Sequence, residues 1–297
     1  MAFLTLFLIQ FFALFMNEVF SLSFSPYNTS LPAETDHGKP VIHTFFQRIP
    51  PYNRTTGMTD EDDDNLLAFW REVWSRAGWE PVVLTEDDAR SHRDFQWFQS
   101  ELGKLKLDAF SNILFTRWIA MAAVGGGWYT DYDVFPLRAM PREIPHNGRM
   151  TVHDIASPTL ASGNAEEWMM TLMALLEDAE ANRSPRDDKL TFWSDSLAVL
   201  SVTRKHKNLP PSPQTSRRVA APYSRRDPIF SQYGCSTKAF RDRWVVHFGQ
   251  EMVQGGPYVP PELRLPKHRL QLAKQWLTKW STLCKDEIEA AEVPKIS

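Results

Sequence analysis

The sequence predicts an α/β domain with a central, mostly parallel sheet flanked by helices, and two observations carry that prediction. Short runs rich in β-branched and aromatic residues, Pro40–Phe46, Pro81–Thr85 and Trp128–Thr130, alternate with longer stretches whose apolar residues recur at helical spacing, around 65–77, 108–124 and 165–179. Strands that alternate with helices in this way build parallel sheets, because each crossover helix carries the chain back to the same edge. The second observation is size. A chain of 297 residues, 43% hydrophobic and 23% charged, suffices for one large core and leaves little for a second.

Met1–Phe15 is apolar apart from Thr5 and Gln10, and apolar character resumes at Val19 and Phe20. Residues 1–24 therefore read as a secretory signal peptide or a short signal anchor, although no Lys or Arg precedes the apolar run. Residues 25–39 read as a stem and residues 40–290 as the folded domain. The expected location is the secretory pathway, in the lumen of the Golgi or endoplasmic reticulum, with single-pass type II membrane association if the segment is kept and secretion if it is cleaved. Three sequons, at Asn28, Asn53 and Asn182, are compatible with a luminal domain. Cys235 and Cys284 either pair in such a compartment or stay as two thiols. A formal charge of −3 argues against a generally basic nucleic-acid binder.

Within the domain, Pro40–Phe46 supplies the first strand. Thr59–Asp64 gathers carboxylates ahead of an apolar face made by Leu66, Leu67, Trp70, Val73 and Trp74, where acids favour the N-terminus of a helix through its dipole. Gly78 closes that helix, Pro81–Thr85 forms the next strand, and Glu86–Leu105 reads as a polar and aromatic helical region. Asp108–Val124 holds no Pro or Gly and almost no charge, so it reads as a buried helix. Gly125–Gly127 stop it in a turn, and Trp128–Thr130 follow as a strand that Pro136 limits. Met150–Ile155 suggests a further strand, Ser157–Asn164 a loop, Ala165–Ala179 a helix, and Phe192–Val202 a helix start with Ser194 or Asp195 as cap. Arg243–Gly249 reads as a late strand ending at His247, and Lys267–Ile288 as a closing amphipathic helix.

The chemistry concentrates at Asp131 and Asp133. In extended geometry residues two apart point the same way, so the two carboxylates converge at a strand exit. Like charges so close repel and lose hydration, which a hard divalent cation remedies. Mn²⁺ or Mg²⁺ held there can bridge to phosphates. An isolated Asp-x-Asp more often caps or solvates a turn, and it is the preceding helix and glycines that favour the metal reading here. A phosphohydrolase with a nucleophilic first Asp wants four or so apolar residues before it, which Gly126–Thr130 supply poorly.

The stretch GGGWYTDYDVFP, residues 125–136, resembles the Gly-Gly-x-Tyr-x-Asp-x-Asp signature of glycosyltransferases with the DXD sugar-binding region, the family 32-like group of mannosyltransferase-like and lactosylceramide galactosyltransferase-like enzymes; Gly126, Gly127, Tyr129, Asp131 and Asp133 match it one by one. The resemblance implies a glycosyltransferase A-type fold and a metal-dependent transfer of a sugar from a nucleotide-sugar donor to an acceptor hydroxyl on a glycan, glycolipid or glycoprotein, with retention at the anomeric carbon. It implies further roles. His43 and Phe46 match the family's opening strand, Phe46 where an aromatic ring stacks on the donor base, although core packing explains Phe46 as well. Arg117 looks like an arginine that engages the donor sugar, with Leu114 standing where the family carries an Asp; a salt bridge to Asp131 or Asp133 is its alternative role. Ser162 and Gly163 are similar to a loop that contacts the transferred sugar, Asp195 to an acid that faces the reaction centre, and His247 to a histidine that joins the metal. Leu114 also keeps open a non-catalytic, carbohydrate-binding protein with the same fold.

Overall fold

Strand β1 (Val41–Phe45) lies between β2 (Glu80–Leu84) and β3 (Gly126–Thr130) and runs parallel to both, with Ile42 opposite Pro81 on one side and Trp128 on the other. The computed structural model describes residues 38–50, 56–154, 157–182, 192–206, 210–223, 230–231, 234–235 and 242–284, all within the compact unit Glu34–Ser297. The apolar N-terminal segment, the stem to residue 37 and the sequons at Asn28 and Asn53 lie outside the described residues, as does 285–288 of the expected closing helix.

Beyond β3 come β4 (Val134–Pro136), β5 (Thr151–Val152), β6 (Leu160–Asn164), β7 (Gln214–Thr215), β8 (Val219–Ala220), β9 (Phe230–Ser231), β10 (Gly234–Cys235) and β11 (Val245–His247). The main sheet has six strands in the order β2-β1-β3-β6-β5-β7. It is mixed but mostly parallel, since β6 runs antiparallel to both β3 and β5 while the other pairings are parallel. A three-stranded sheet, β4-β11-β8, stands beside it, and β9 and β10 pair antiparallel. The helices are α1 (Asp60–Arg76), α2 (Glu86–Arg90), α3 (Phe95–Lys104), α4 (Ala109–Ala123), α5 (Ala165–Asn182), α6 (Asp195–His206), α7 (Gln250–Gly255) and α8 (Arg269–Leu283). Among the described residues no helix is long and apolar enough to cross a membrane.

The alternation of β3 divides the core. Tyr129 joins the cluster under α4, α5 and α6 with Phe115, Trp118 and Trp168, whereas Trp128 joins the opposite cluster with Trp70, Trp74 and Trp276 of α1 and α8. Successive strand residues point to opposite faces, so the chain that leaves β3 can send its next side chains into both layers. Helix α1 starts with a capping box in which Thr59 and Asp62 satisfy each other's backbone N–H, the structural use expected for part of that acidic run.

Three expectations are corrected. Ser157–Asn164 is not all loop, because Leu160–Asn164 forms β6 against β3, pairing Gly163 with Gly127 and Ser162 with Trp128. Its small residues read as loop formers, yet close backbone approach demands them: a Cβ on Gly126, at φ +82°, would lie 2.5 Å from the Gly163 carbonyl oxygen. Gly126 and Gly127 accordingly belong to β3 rather than to a turn. Finally, Asp131 and Asp133 are not brought together by extended geometry. The strand ends at Thr130, and a turn closed by Val134 N–H to the Asp131 carbonyl, 3.1 Å, carries the chain into β4 of the other sheet.

Two buried histidines tie stability to pH. His43 bonds the Trp128 carbonyl through Nδ1 at 3.1 Å, and burial holds its pKa down at about 4 against the pull of that bond and of Asp88. His153 stacks on Trp128 and bonds Ser162 and Ser216; burial, then Arg218 and His146, hold it at about 3. A histidine whose folded pKa lies below its unfolded 6.5 leaves the unfolded chain binding more protons, so its contribution is complete above about pH 6.5 and declines as pH falls toward the folded value. For His43 alone the loss between about pH 7 and pH 5 is about 2 kcal/mol. Urea unfolding of wild type and His43→Asn over this range checks it, with a flatter pH dependence expected in the variant and an identical one contradicting the assignment.

Candidate metal centre

The turn that bears the two acids is fixed on both sides by helix α1. Trp70 Nε1 donates to Thr130 Oγ1 at 3.1 Å just before it, and Trp74 Nε1 donates to the Val134 carbonyl at 3.0 Å just after it. Phe248 N–H bonds the Asp133 carbonyl at 3.0 Å, which seats the end of β11 against the same turn. His247 thereby arrives with its Nε2 3.4 Å from Asp133 Oδ1. Gly249 makes room for the ring, since a Cβ there would lie 2.7 Å from His247 Cε1.

Asp131, Asp133 and His247 each offer one ligand atom, and these atoms lie within 4.8 Å of one another. Asp133 is buried, whereas the side chains of Asp131 and His247 are 22% and 26% exposed, so the cluster opens on one side. Two carboxylate oxygens with one imidazole nitrogen form a donor set that can coordinate a divalent metal ion.

An arginine from each helical layer holds one of the acids. From α4, Arg117 Nη1 donates to Asp131 Oδ1 at 2.6 Å and to the Tyr129 hydroxyl at 3.2 Å, while the Tyr129 hydroxyl itself donates to Asp131 Oδ1 at 2.8 Å. From α8, Arg269 Nη1 donates to Asp133 Oδ2 at 3.1 Å. Asp131 Oδ2 carries no hydrogen bond among the described residues, so Asp131 has one oxygen held and one available. Burial alone would lift the Asp133 carboxyl, but His247 and Arg269 outweigh it and hold the pKa at about 2. For His247 burial works downward, and the Asp133 carboxylate beside it wins and raises the pKa.

Asp195 is the second partner of Arg117. It accepts from Arg117 Nε at 2.8 Å, from Nη2 at 2.5 Å and from Trp118 Nε1 at 2.8 Å, all on Oδ2. Its Oδ1 is buried with no hydrogen-bond partner among the described residues. The capping task falls to its neighbour, because Ser194 Oγ accepts from Leu197 N–H at 3.3 Å, and Asp195 is free to turn inward.

Other residues singled out in the sequence are placed differently. Phe46 reaches the turn, edge-on to Tyr132 with ring centroids 5.5 Å apart. His43 is turned into the sheet, under Trp128. Ser162 is buried on His153, and Gly163 lies opposite Gly127, about 13 Å of strand back from Asp131. Neither Ser162 nor Gly163 is brought to the acid turn. Sequence reasoning missed Arg269 and Tyr132. Tyr132 hydroxyl reaches Asp63 Oδ1 at 3.4 Å, so the acidic start of α1 also contributes a buried acid behind the site. Cys284 is buried and disulfide-bonded, and the sequence holds one other cysteine, Cys235.

Residues 18–146 match a family described as a domain of unknown function (DUF8765), a stretch that includes the acid turn but neither His247 nor Arg269. No curated protein matches the chain. Among solved structures the chain is similar to the crystal structure of a glycosyltransferase involved in the glycosylation of the major capsid of PBCV-1, at 14% identity and a TM-score of 0.32, over 77% of this chain and 99% of that one.

Proposed function

We propose that the protein is a metal-dependent glycosyltransferase of the A type, moving a sugar from a nucleotide-sugar donor to a hydroxyl of a glycan, glycolipid or glycoprotein with retention. The observation that carries this reading is the convergence of Asp131, Asp133 and His247 at the exit of a parallel strand, held from both helical layers. Beside the end of β1 lies a cleft of about 530 Å³ whose wall includes Gln47, Arg48, Lys106, Asn112 and Thr116. Gln47 and Thr116 are sequence neighbours of Phe46 and Arg117, but neither of those two nor any of the three candidate ligands is on the cleft wall, so the metal reading stands on the acids and not on the cleft. The cleft's volume suits a nucleotide-sized ligand; on its wall Arg48 is held by Asp60 and Asp64, and Glu86 also lines it.

A divalent ion, when bound, supplies electrostatic stabilisation to the charge that develops on a departing diphosphate. The chain's own residues do the rest. Asp131 and His247 present ligand atoms toward solvent, Asp133 anchors the centre in the core, and Arg117 and Tyr129 fix the Asp131 carboxylate. To Phe46, edge-on to Tyr132, we assign the stacking on a base.

One observation favours a second reading, a carbohydrate-binding protein without turnover. Arg117 is committed to Asp131, Asp195 and Tyr129, and Leu114 cannot replace an acid at the donor sugar. Release of nucleotide from a panel of nucleotide sugars with Mn²⁺ distinguishes the two: metal-dependent release supports the transferase, and binding without release the second reading. We place the domain in the secretory lumen on the apolar character of residues 1–24; protection from protease in intact microsomes is the expected result, and full sensitivity would contradict it.

A further inference from the structure

The two oxygens of Asp133 face different groups. Oδ1 meets His247, and Oδ2 accepts from Arg269. Arg269 is the first residue of α8 and is 5% exposed. Tyr132 and Asp63 act on its charge as well, and the Tyr132 hydroxyl reaches Asp63 of α1. The guanidinium is thus held against the acid turn and buried in the packing of α8. Among the described residues its Nε is buried without a hydrogen-bond partner, and Nη1 brings the charge directly onto Asp133.

We propose that Arg269 sets the cation affinity of the centre, holding it low by occupying one oxygen of Asp133 and by repelling a dication across that carboxylate. The inference rests on reading Asp131, Asp133 and His247 as metal ligands. Loss of Arg269 has two opposed effects. An orienting bond to a ligand disappears, which typically weakens metal binding by roughly 10–100-fold. A fixed positive charge also disappears from within one carboxylate's width of a dication, in a buried place where charges are weakly screened. The second effect is the larger, because two charges of one sign and a total product of two act over a few ångströms at low dielectric. Arg269 is therefore a positioning residue whose removal tightens the site.

The test is calorimetric titration of Mn²⁺ into the full chain without nucleotide, for wild type, Arg269→Met and Arg269→Lys. Arg269→Met is expected to bind Mn²⁺ at least about tenfold more tightly than wild type, and Arg269→Lys, which keeps the charge, within about threefold of it. Unchanged or weaker binding by Arg269→Met overturns the proposal. The neutral variant strands a buried carboxylate and loses stability, so thermal unfolding gives a second readout. Mn²⁺ should raise the melting temperature of Arg269→Met by more than that of wild type, and an equal or smaller rise overturns the proposal. If wild type and both variants fail to bind Mn²⁺ even with a nucleoside diphosphate present, the metal reading itself fails; binding by wild type with no gain in Arg269→Met sinks only the role of Arg269.

Discussion

Replacing Asp131 by Asn is expected to weaken Mn²⁺-dependent donor binding by at least about a hundredfold while leaving the melting temperature within a few degrees of wild type. Loss of an outer-shell partner typically costs roughly 10–100-fold in metal affinity, and loss of a charged direct ligand exceeds that. Stability changes little for a geometric reason. The Asp131 side chain is 22% exposed, an Asn oxygen still accepts from the Tyr129 hydroxyl, and Arg117 keeps both of its bonds to Asp195. The equivalent change at Asp133 is less clean, because it removes the charge that faces buried Arg269. Calorimetry beside thermal unfolding checks the prediction. Donor affinity within threefold of wild type would remove Asp131 from the metal centre.

Arg117→Met should have the opposite profile, a loss of about 3–5 kcal/mol of stability, since breaking a buried ion pair by removing one partner leaves an uncompensated charge. Asp195, with no exposed surface, would retain only Trp118 as donor, and its Oδ1 already lacks a partner among the described residues. Removing both charges should recover much of the loss, so the pair Arg117→Met with Asp195→Leu is expected to be more stable than Arg117→Met alone. Urea denaturation of the single and double variants makes the measurement. A loss below about 1 kcal/mol for Arg117→Met would mean that the ion pair is loosely solvated rather than buried.

The centre of the fold was legible because its signals are local. Asp108 caps α4 through Ser111 N–H, Arg117 is the one charged residue in the helix, and the glycines and Asp-x-Asp follow within a few residues. Arg117 itself could be flagged as a buried charge in need of a partner at Asp131 or Asp133, and the structure pairs it with Asp131. What stayed hidden depends on contacts across the chain. Arg269 stands 136 residues from Asp133, amid Lys267 and His268, where a basic residue near a helix start carries no signal of burial. Asp63 sits in an acidic run whose other members cap a helix or face solvent, and only the placement of Tyr132 singles it out. Strand β6 was obscured because the residues that let two backbones pack closely, Ser162 and Gly163, are the same ones that usually make loops. The acid pair converges by a turn between two sheets, and no periodicity in the sequence encodes where a chain changes sheets.

The most direct test of the account is calorimetric binding of a panel of nucleotide sugars to the wild-type chain with Mn²⁺ and with EDTA. At least one nucleotide sugar is expected to bind with Mn²⁺ present, and chelation to abolish the binding, as the ligand set of Asp131, Asp133 and His247 requires. Donor binding of equal strength with and without metal, or binding of Mn²⁺ with no nucleotide sugar recognised, would contradict it.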